Sequence, residues 1–181
     1  MRIVCWGGAP TTGKSTLMRS VIQELGKGKL CKIGLLVYQQ YVDKKCIVLG
    51  SYAKARFGGT DRLSMGVQPV ALGIIQAWAS DLNMKDWTIL FEGDRLFNSS
   101  FLNDLDKIPE IDYHWIMLDA SLEIQEQRHR DRKDTQSETW LKGRLTKAAK
   151  LKESLKDLKV LKNETKEDLN NNVDYILKIV S

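Results

Sequence analysis

The sequence predicts an α/β fold, a three-layer doubly wound parallel sheet, on three observations. Short apolar runs alternate with segments of helical periodicity along the chain, and the runs are near-continuously apolar, as strands covered on both faces must be. The first run, Ile3 to Trp6, leads through a glycine-rich loop straight into a helix. At 181 residues the chain suits one domain, residues 1–181. A composition 43% apolar and 28% charged is that of a soluble globular protein, and no run of about 18 apolar residues is available to span a bilayer. The N-terminus carries no basic region, apolar core and cleavage site, so the expected compartment is the cytoplasm. Cys5, Cys31 and Cys46 lack metal-ligand spacing, sit in apolar runs and read as buried, reduced thiols.

The elements follow in order. Residues 2–6 form the first strand, and a helix from about Ser15 to Leu25 sets Leu17, Val21 and Leu25 on one face before Gly26. Cys31 to Tyr41 and Cys46 to Tyr52 are β-rich runs around the polar turn Asp43-Lys44-Lys45, a strand and its hairpin return, and either one is eligible for the parallel sheet. Phe57 to Ser64 is a loop with two glycines beside Asp61 and Arg62. Val70 to Leu82, with Pro69 at its start, has helical spacing and serves as a crossover helix. Trp87 to Phe91 is the next buried strand; a short helix from Ser99 to Asp106 then leads to the strand Tyr113 to Leu118, which ends at Asp119. Helices are expected from Ser121 to Asp131, from Ser137 to Leu158 and from Asp168 to Val180, with Val160-Leu161 as a last short strand. The long helix sets Trp140, Leu141, Leu145, Ala148, Leu151, Leu155 and Leu158 opposite its lysines.

The loop Gly8-Ala9-Pro10-Thr11-Thr12-Gly13-Lys14-Ser15 has the spacing of a phosphate-binding loop: glycine, four residues, then Gly-Lys-Ser, between a strand and a helix. Glycines there turn the backbone so that successive N–H groups point inward, and the helix adds the positive end of its dipole. Residues Gly8 to Thr16 thus make a cavity for a polyphosphate, with Lys14 reaching the β and γ phosphates and Ser15 offering its hydroxyl to Mg²⁺. Phosphoryl transfer needs cations, a metal-holding carboxylate and groups that orient the acceptor. The strand ending at Phe91 delivers Glu92 and Asp94 to the sheet edge beside the loop, where one would hold Mg²⁺ or accept the acceptor's proton. Arg95 suits an anionic substrate. Arg128, Arg130 and Arg132, followed by the polar stretch Lys133 to Glu138, read as a lid over about residues 128–138 that closes on the β and γ phosphates. Cations at a helix C-terminus also favour the local dipole.

Together the loop, a strand ending in Glu92-Gly93, the Arg-rich segment after Leu118-Asp119 and a short terminal strand leading to Asn163-Glu164-Thr165 resemble the P-loop kinases of nucleosides, nucleotides and nucleic-acid ends. The resemblance covers nearly the whole chain and implies ATP and Mg²⁺ as cofactors, with Ser15 and Glu92 at the metal and Lys14, Arg128 and Arg132 at the transferring phosphoryl group. It places Asn163 and Thr165 near the nucleotide base and matches Asp94-Arg95 to the family's acidic-Arg pair. The acceptor site is expected between the Gly59 to Ser64 loop and the Glu92 to Arg95 turn, with Asp61 or Asp94 orienting the attacking hydroxyl and Arg62 and Arg95 binding substrate. Regulatory GTPases are disfavoured: neither an Asp-x-x-Gly after the second apolar strand nor an Asn-Lys-x-Asp is present, and Asn83-Met84-Lys85-Asp86 has the wrong spacing. The segments Gly59 to Met65 and Glu92 to Phe97 are similar to those of viral kinases that phosphorylate 5-hydroxymethyluracil in DNA.

The net charge of +5 is unevenly distributed. Lys142 to Lys162 carries eight basic and two acidic residues, a net +6, while the other 160 carry 20 basic and 21 acidic, a net −1. Such a stripe is either a footprint for a nucleic-acid backbone or an ordinary solvated helix face. The expected partners are ATP with hydroxymethylpyrimidine-containing DNA, or else a nucleoside or nucleotide. The competing expectations are a deoxynucleoside or nucleoside-monophosphate kinase and a module that holds a nucleotide without turnover.

Overall fold

The computed structural model describes residues 1–52, 58–132 and 137–181. Its strands are β1 (Arg2–Gly8), β2 (Lys29–Ile33), β3 (Leu36–Tyr41), β4 (Cys46–Leu49), β5 (Thr88–Glu92), β6 (Asp112–Asp119) and β7 (Lys159–Lys162). Its helices are α1 (Lys14–Leu25), α2 (Val67–Ala79), α3 (Ser99–Leu105), α4 (Leu122–Arg132), α5 (Glu138–Ser154) and α6 (Lys166–Val180). Among the described residues these strands make one sheet in the order β2-β3-β4-β5-β1-β6-β7. The pairs from β4 to β7 are parallel, and the β2-β3-β4 edge is antiparallel.

The apolar run of β1 is continuous because both of its faces are covered. Ile3 and Cys5 pack with Val67, Ala71 and Ile75 of α2, with Phe101 and Leu105 of α3, and with Leu151 of α5. Val4 and Trp6 point the other way, onto Leu17, Met18 and Val21 of α1 and Val173 and Ile176 of α6. Helices therefore lie on both faces of a mostly parallel sheet, the doubly wound architecture expected of the sequence. No helix among the described residues is long and apolar enough to cross a membrane.

Three boundaries differ from expectation, and one open choice is resolved. The run Cys31 to Tyr41 is two strands, because the two-residue turn Gly34-Leu35 folds β2 back onto β3. It is β4 that joins the parallel sheet, against β5. Helix α2 starts at Val67, so Pro69 lies inside the first turn, where its missing N–H costs no intrahelical bond. Helix α5 stops at Ser154 because Leu155 turns extended (φ −88°, ψ 121°) and Asp157 takes a positive φ of 56°. Two side-chain expectations change as well. Cys5 and Cys46 are buried thiols, whereas Cys31, on the edge strand, is only half-buried. The apolar stripe of α5 is buried at Leu151 (4% exposed), while Trp140 and Leu145 are each 37% exposed.

Candidate active site

Parallel strands deliver their carboxyl ends to one edge, so the loop after β1 and the turn after β5 are neighbours there. Trp6 pairs with Glu92 in the register of these two central strands. Residues 8–13 link β1 to α1, whose N-cap, Gly13, has φ 91° and makes no side-chain cap. A side chain at Gly13 would also meet the Asn163 amide, 2.3 Å from the position of a Cβ. The first N–H groups of α1 thus have no side-chain cap, as an anion site requires.

Neighbouring residues hold the loop from outside. Thr11, at φ 62°, donates its hydroxyl to the Gln125 carbonyl at 3.1 Å, and its own carbonyl accepts from Arg128 Nη1 at 3.0 Å. The other guanidinium nitrogen of Arg128 donates to the Glu164 carbonyl at 2.9 Å. Buried Asn163 donates its amide to the Thr12 carbonyl at 2.7 Å, and the Trp6 indole donates to the Lys14 carbonyl at 3.1 Å. Thr12 Oγ1 closes the loop on itself by donating to Ala9 at 2.9 Å. Lys14 Nζ curls over the same loop, 2.9 Å and 3.0 Å from the Gly8 and Ala9 carbonyls.

Glu92 is the buried carboxylate of the site, 1% exposed. Its Oε1 accepts from Ser15 Oγ at 3.1 Å and from Tyr52 OH at 3.2 Å, while Thr60 Oγ1 donates to its carbonyl at 2.6 Å. Burial pushes the Glu92 carboxyl up to about 7; Lys14 pulls it down, Asp61 pushes it up, and the Ser15 and Tyr52 bonds pull it down. Burial likewise raises the Tyr52 hydroxyl, and the charge of Glu92 adds to the rise.

Asp61, on the 3₁₀ turn Thr60–Arg62, and Asp94 line a cleft of about 740 Å³ together with Lys14 and Arg95. The Arg95 N–H donates to Asp61 Oδ1 at 2.8 Å. Desolvation raises the Asp61 carboxyl, and the Arg95 N–H bond acts against that rise. Asp94 is paired with Arg144 of α5 at 2.5 Å. Arg95 Nε is buried with no acceptor among the described residues.

The predicted residues therefore gather in two adjacent hollows. Lys14, Asp61, Asp94 and Arg95 share the larger cleft, with Pro10 on its wall and Ser15 and Glu92 bonded at the edge of the loop. Gly13, Thr16, Arg128, Arg132, Asn163 and Thr165 line a second recess of about 290 Å³. Within it, Thr165 caps α6 by accepting from the Asp168 N–H. Arg62 sits exposed at the end of its 3₁₀ turn. Of the expected lid, Arg128 to Arg132 form the end of α4, residues 133–136 lie outside the described residues, and α5 follows. Arg128 backs the loop through carbonyl groups, and desolvation lowers its pKa, helped by the neighbouring charge of Arg132.

Sequence reasoning did not single out Tyr52, Thr60, Gln125, Trp140 or Arg144 for this site. The first three act through partners 32 to 114 residues away, which no local pattern announces. Arg144 was legible only as one cation in a lysine-rich stripe.

The residues present fit a polyphosphate accompanied by a hard divalent cation. Ser15 and Glu92 supply adjacent hard oxygens, and Lys14 sits between the loop and the cleft. No group of three or more His, Cys, Asp or Glu residues suited to a metal occurs among the described residues, so such a cation would take its remaining ligands from phosphate and water.

The model of one protein family, P-loop Nucleotide Kinase3, matches residues 1–174. No curated protein matches the chain. Among solved structures, an unliganded sugar kinase from Janibacter sp. HTCC2649 is similar at 13% identity and a TM-score of 0.49, covering 99% of this chain and 94% of its own. The structure of APE1195 is similar at 20% identity and a TM-score of 0.47, covering 98% and 93% respectively.

Proposed function

The chain belongs to the P-loop nucleotide kinase family, and from that premise we propose that it transfers the γ-phosphoryl group of ATP to a hydroxyl on a nucleic-acid base. The best candidate is the hydroxymethyl group of 5-hydroxymethyluracil in DNA. The observation that carries the phosphotransfer reading is the shared cleft, which Lys14 of the phosphate loop lines together with Asp61, Asp94 and Arg95.

Each residue has a distinct task in this reading. The N–H groups at the start of α1 and Lys14 hold the phosphates and neutralise charge that grows on them in the transition state. Ser15 and Glu92 would hold Mg²⁺, which would supply charge neutralisation at the phosphates. Arg128 and Asn163 keep the loop in shape by satisfying the Thr11 and Thr12 carbonyls. Asp61 or Asp94 orients the acceptor hydroxyl. The acceptor oxygen forms the new bond to the γ phosphorus, the bond to the bridging oxygen breaks, ADP leaves with that electron pair, and the hydroxyl proton passes to the carboxylate.

The DNA acceptor is supported by the net +6 of residues 142–162 and by the similarity of the Gly59 to Met65 and Glu92 to Phe97 segments to hydroxymethyluracil DNA kinases. A second reading, a deoxynucleoside or nucleoside-monophosphate kinase, is favoured by the cleft volume of about 740 Å³, which suits one nucleotide. The test offers ATP and Mg²⁺ with hydroxymethyluracil-containing DNA, unmodified DNA and free nucleosides and nucleotides in parallel, and identifies products by mass spectrometry. Phosphate on the modified DNA, with affinity falling steeply as salt rises, is the expected result. Label only on a free nucleoside or nucleotide establishes the second reading instead.

A further inference from the structure

We propose that Trp140, Arg144 and Lys147 form the acceptor-binding wall of the cleft. On this view the indole takes the flat face of a base and the two cations take a phosphate next to it. The inference rests on the phosphotransfer reading of the same cleft and names the chemical class of its acceptor: a nucleotide unit with its phosphate, not a bare nucleoside or a sugar.

Positions 140, 144 and 147 are four and three residues apart, so they lie on one face of α5, and all three line the cleft that Lys14 also lines. The ion pair between Arg144 and Asp94 at 2.5 Å ties this face to the turn after β5, where the acceptor hydroxyl is handled. Arg144 lies over the Trp140 ring with Cζ 5.0 Å from its centroid. An indole backed by a guanidinium is a stacking platform for any base, because every base has a π-face.

The wall is not core packing. Leu151, on the same face of α5, is 4% exposed, whereas Trp140 remains 37% exposed at the cleft. A tryptophan with no structural role would normally be covered, since it carries the largest apolar surface of any side chain. The bond to Asp94 uses Arg144 Nη1, so other donors of its planar fork remain for a phosphate, and Lys147 adds a compact charge one turn away. Both a free nucleoside monophosphate and a unit within a strand present this combination of ring and phosphate.

The test is calorimetric binding to the whole protein in the presence of Mg²⁺ and a non-hydrolysable ATP analogue. The probes are 5-hydroxymethyl-2′-deoxyuridine, its 5′-monophosphate and a single-stranded hexanucleotide carrying that base. Trp140→Ala is expected to weaken binding of the monophosphate or the hexanucleotide about ten-fold, and Trp140→Phe less than about three-fold, because a smaller ring still stacks. Arg144→Gln and Lys147→Gln are each expected to weaken the phosphate-bearing probes about five-fold while changing the nucleoside by less than about two-fold. Binding of the hexanucleotide alone identifies a strand as the source, and binding of the monophosphate alone identifies a free nucleotide.

Wild-type affinity for the phosphate-bearing probes in Trp140→Ala overturns the wall, as does a wild-type protein that binds neither of them. Equal losses for nucleoside and monophosphate in both cation variants overturn the phosphate half. A wild-type protein that binds these probes through Trp140 yet phosphorylates no hydroxyl supports the wall and sinks the kinase assignment of the cleft, so the two failures are separable.

Discussion

Ser15 Oγ donates to Glu92 Oε1 across 3.1 Å, so the residue after the loop lysine and the last residue of β5 share one hydrogen bond. Two segments 77 residues apart in sequence thereby set one pair of hard oxygens beside the phosphate loop.

That pair makes the enzyme pH-dependent in two opposite directions. Burial raises the folded Glu92 value to about 7, above its ordinary 4.5, so the folded state binds the proton more tightly than the unfolded chain. The stabilising contribution is complete below about pH 4.5 and is lost as pH rises through about 7. In the proposed role Glu92 would hold Mg²⁺ as the ionised carboxylate, so Mg²⁺-supported activity is expected to rise across the same interval. Denaturant midpoints from pH 5 to 8 should fall more steeply for wild type than for Glu92→Gln, which should also lose most activity. Parallel pH profiles for the two proteins would remove Glu92 from this role.

Lys14→Ala is expected to cost most of the rate, on the order of 10²-fold or more in kcat, because in the proposed mechanism its charge would meet the transferring phosphoryl group. Single-turnover measurements with the best acceptor check this, and wild-type activity in the variant contradicts the assignment.

The acceptor carboxylates separate by substitution. Either Asp61→Asn or Asp94→Asn should lower kcat by about 10²–10⁴-fold, the usual range for a positioned general base. If both remain within a few-fold of wild type, the hydroxyl is oriented elsewhere. Because Asp94 is also held by Arg144, a loss that is confined to KM in Asp94→Asn marks a binding role and leaves Asp61 as the base.

Gly59 has φ 90°, and a Cβ there would lie 2.1 Å from Glu92 Oε1. Gly59→Ala should therefore destabilise the fold by about 1–3 kcal/mol through backbone strain, and it should displace the carboxylate from Ser15. Urea unfolding and the Mg²⁺ dependence of the rate are expected to change together; an unchanged Mg²⁺ dependence in a destabilised protein would show that Glu92 is not held by this contact.

The central strands, the phosphate loop and the gathering of Lys14, Asp61, Asp94 and Arg95 were legible because each rests on a local pattern: an apolar run, a glycine spacing, a charged turn at a strand end. The β2-β3 fold-back was hidden in one β-rich run, where Gly34 was the available sign of a turn. Family position implied Asn163 beside a nucleotide base, and the Arg-rich helix end read as a lid over the phosphates; in the structure Asn163 and Arg128 donate to loop carbonyls, at Thr12 and Thr11. The exposure of Trp140 contradicts its place in a helical apolar stripe, since periodicity assigns a face to a side chain without saying whether anything covers that face.

Strand β1 pairs with Thr88–Glu92 on one side and Asp112–Asp119 on the other. During synthesis Ile3 to Trp6 leaves the ribosome without either neighbour and waits roughly five to twenty seconds for them at ordinary elongation rates. The phosphate loop's bonds to Glu92 and Asn163 therefore wait on chain that is made later. A nascent chain halted before β5 carries the apolar run Ile3 to Trp6 with two unpaired edges, a template for aggregation. Lower growth temperatures and holdase chaperones should accordingly raise the soluble yield.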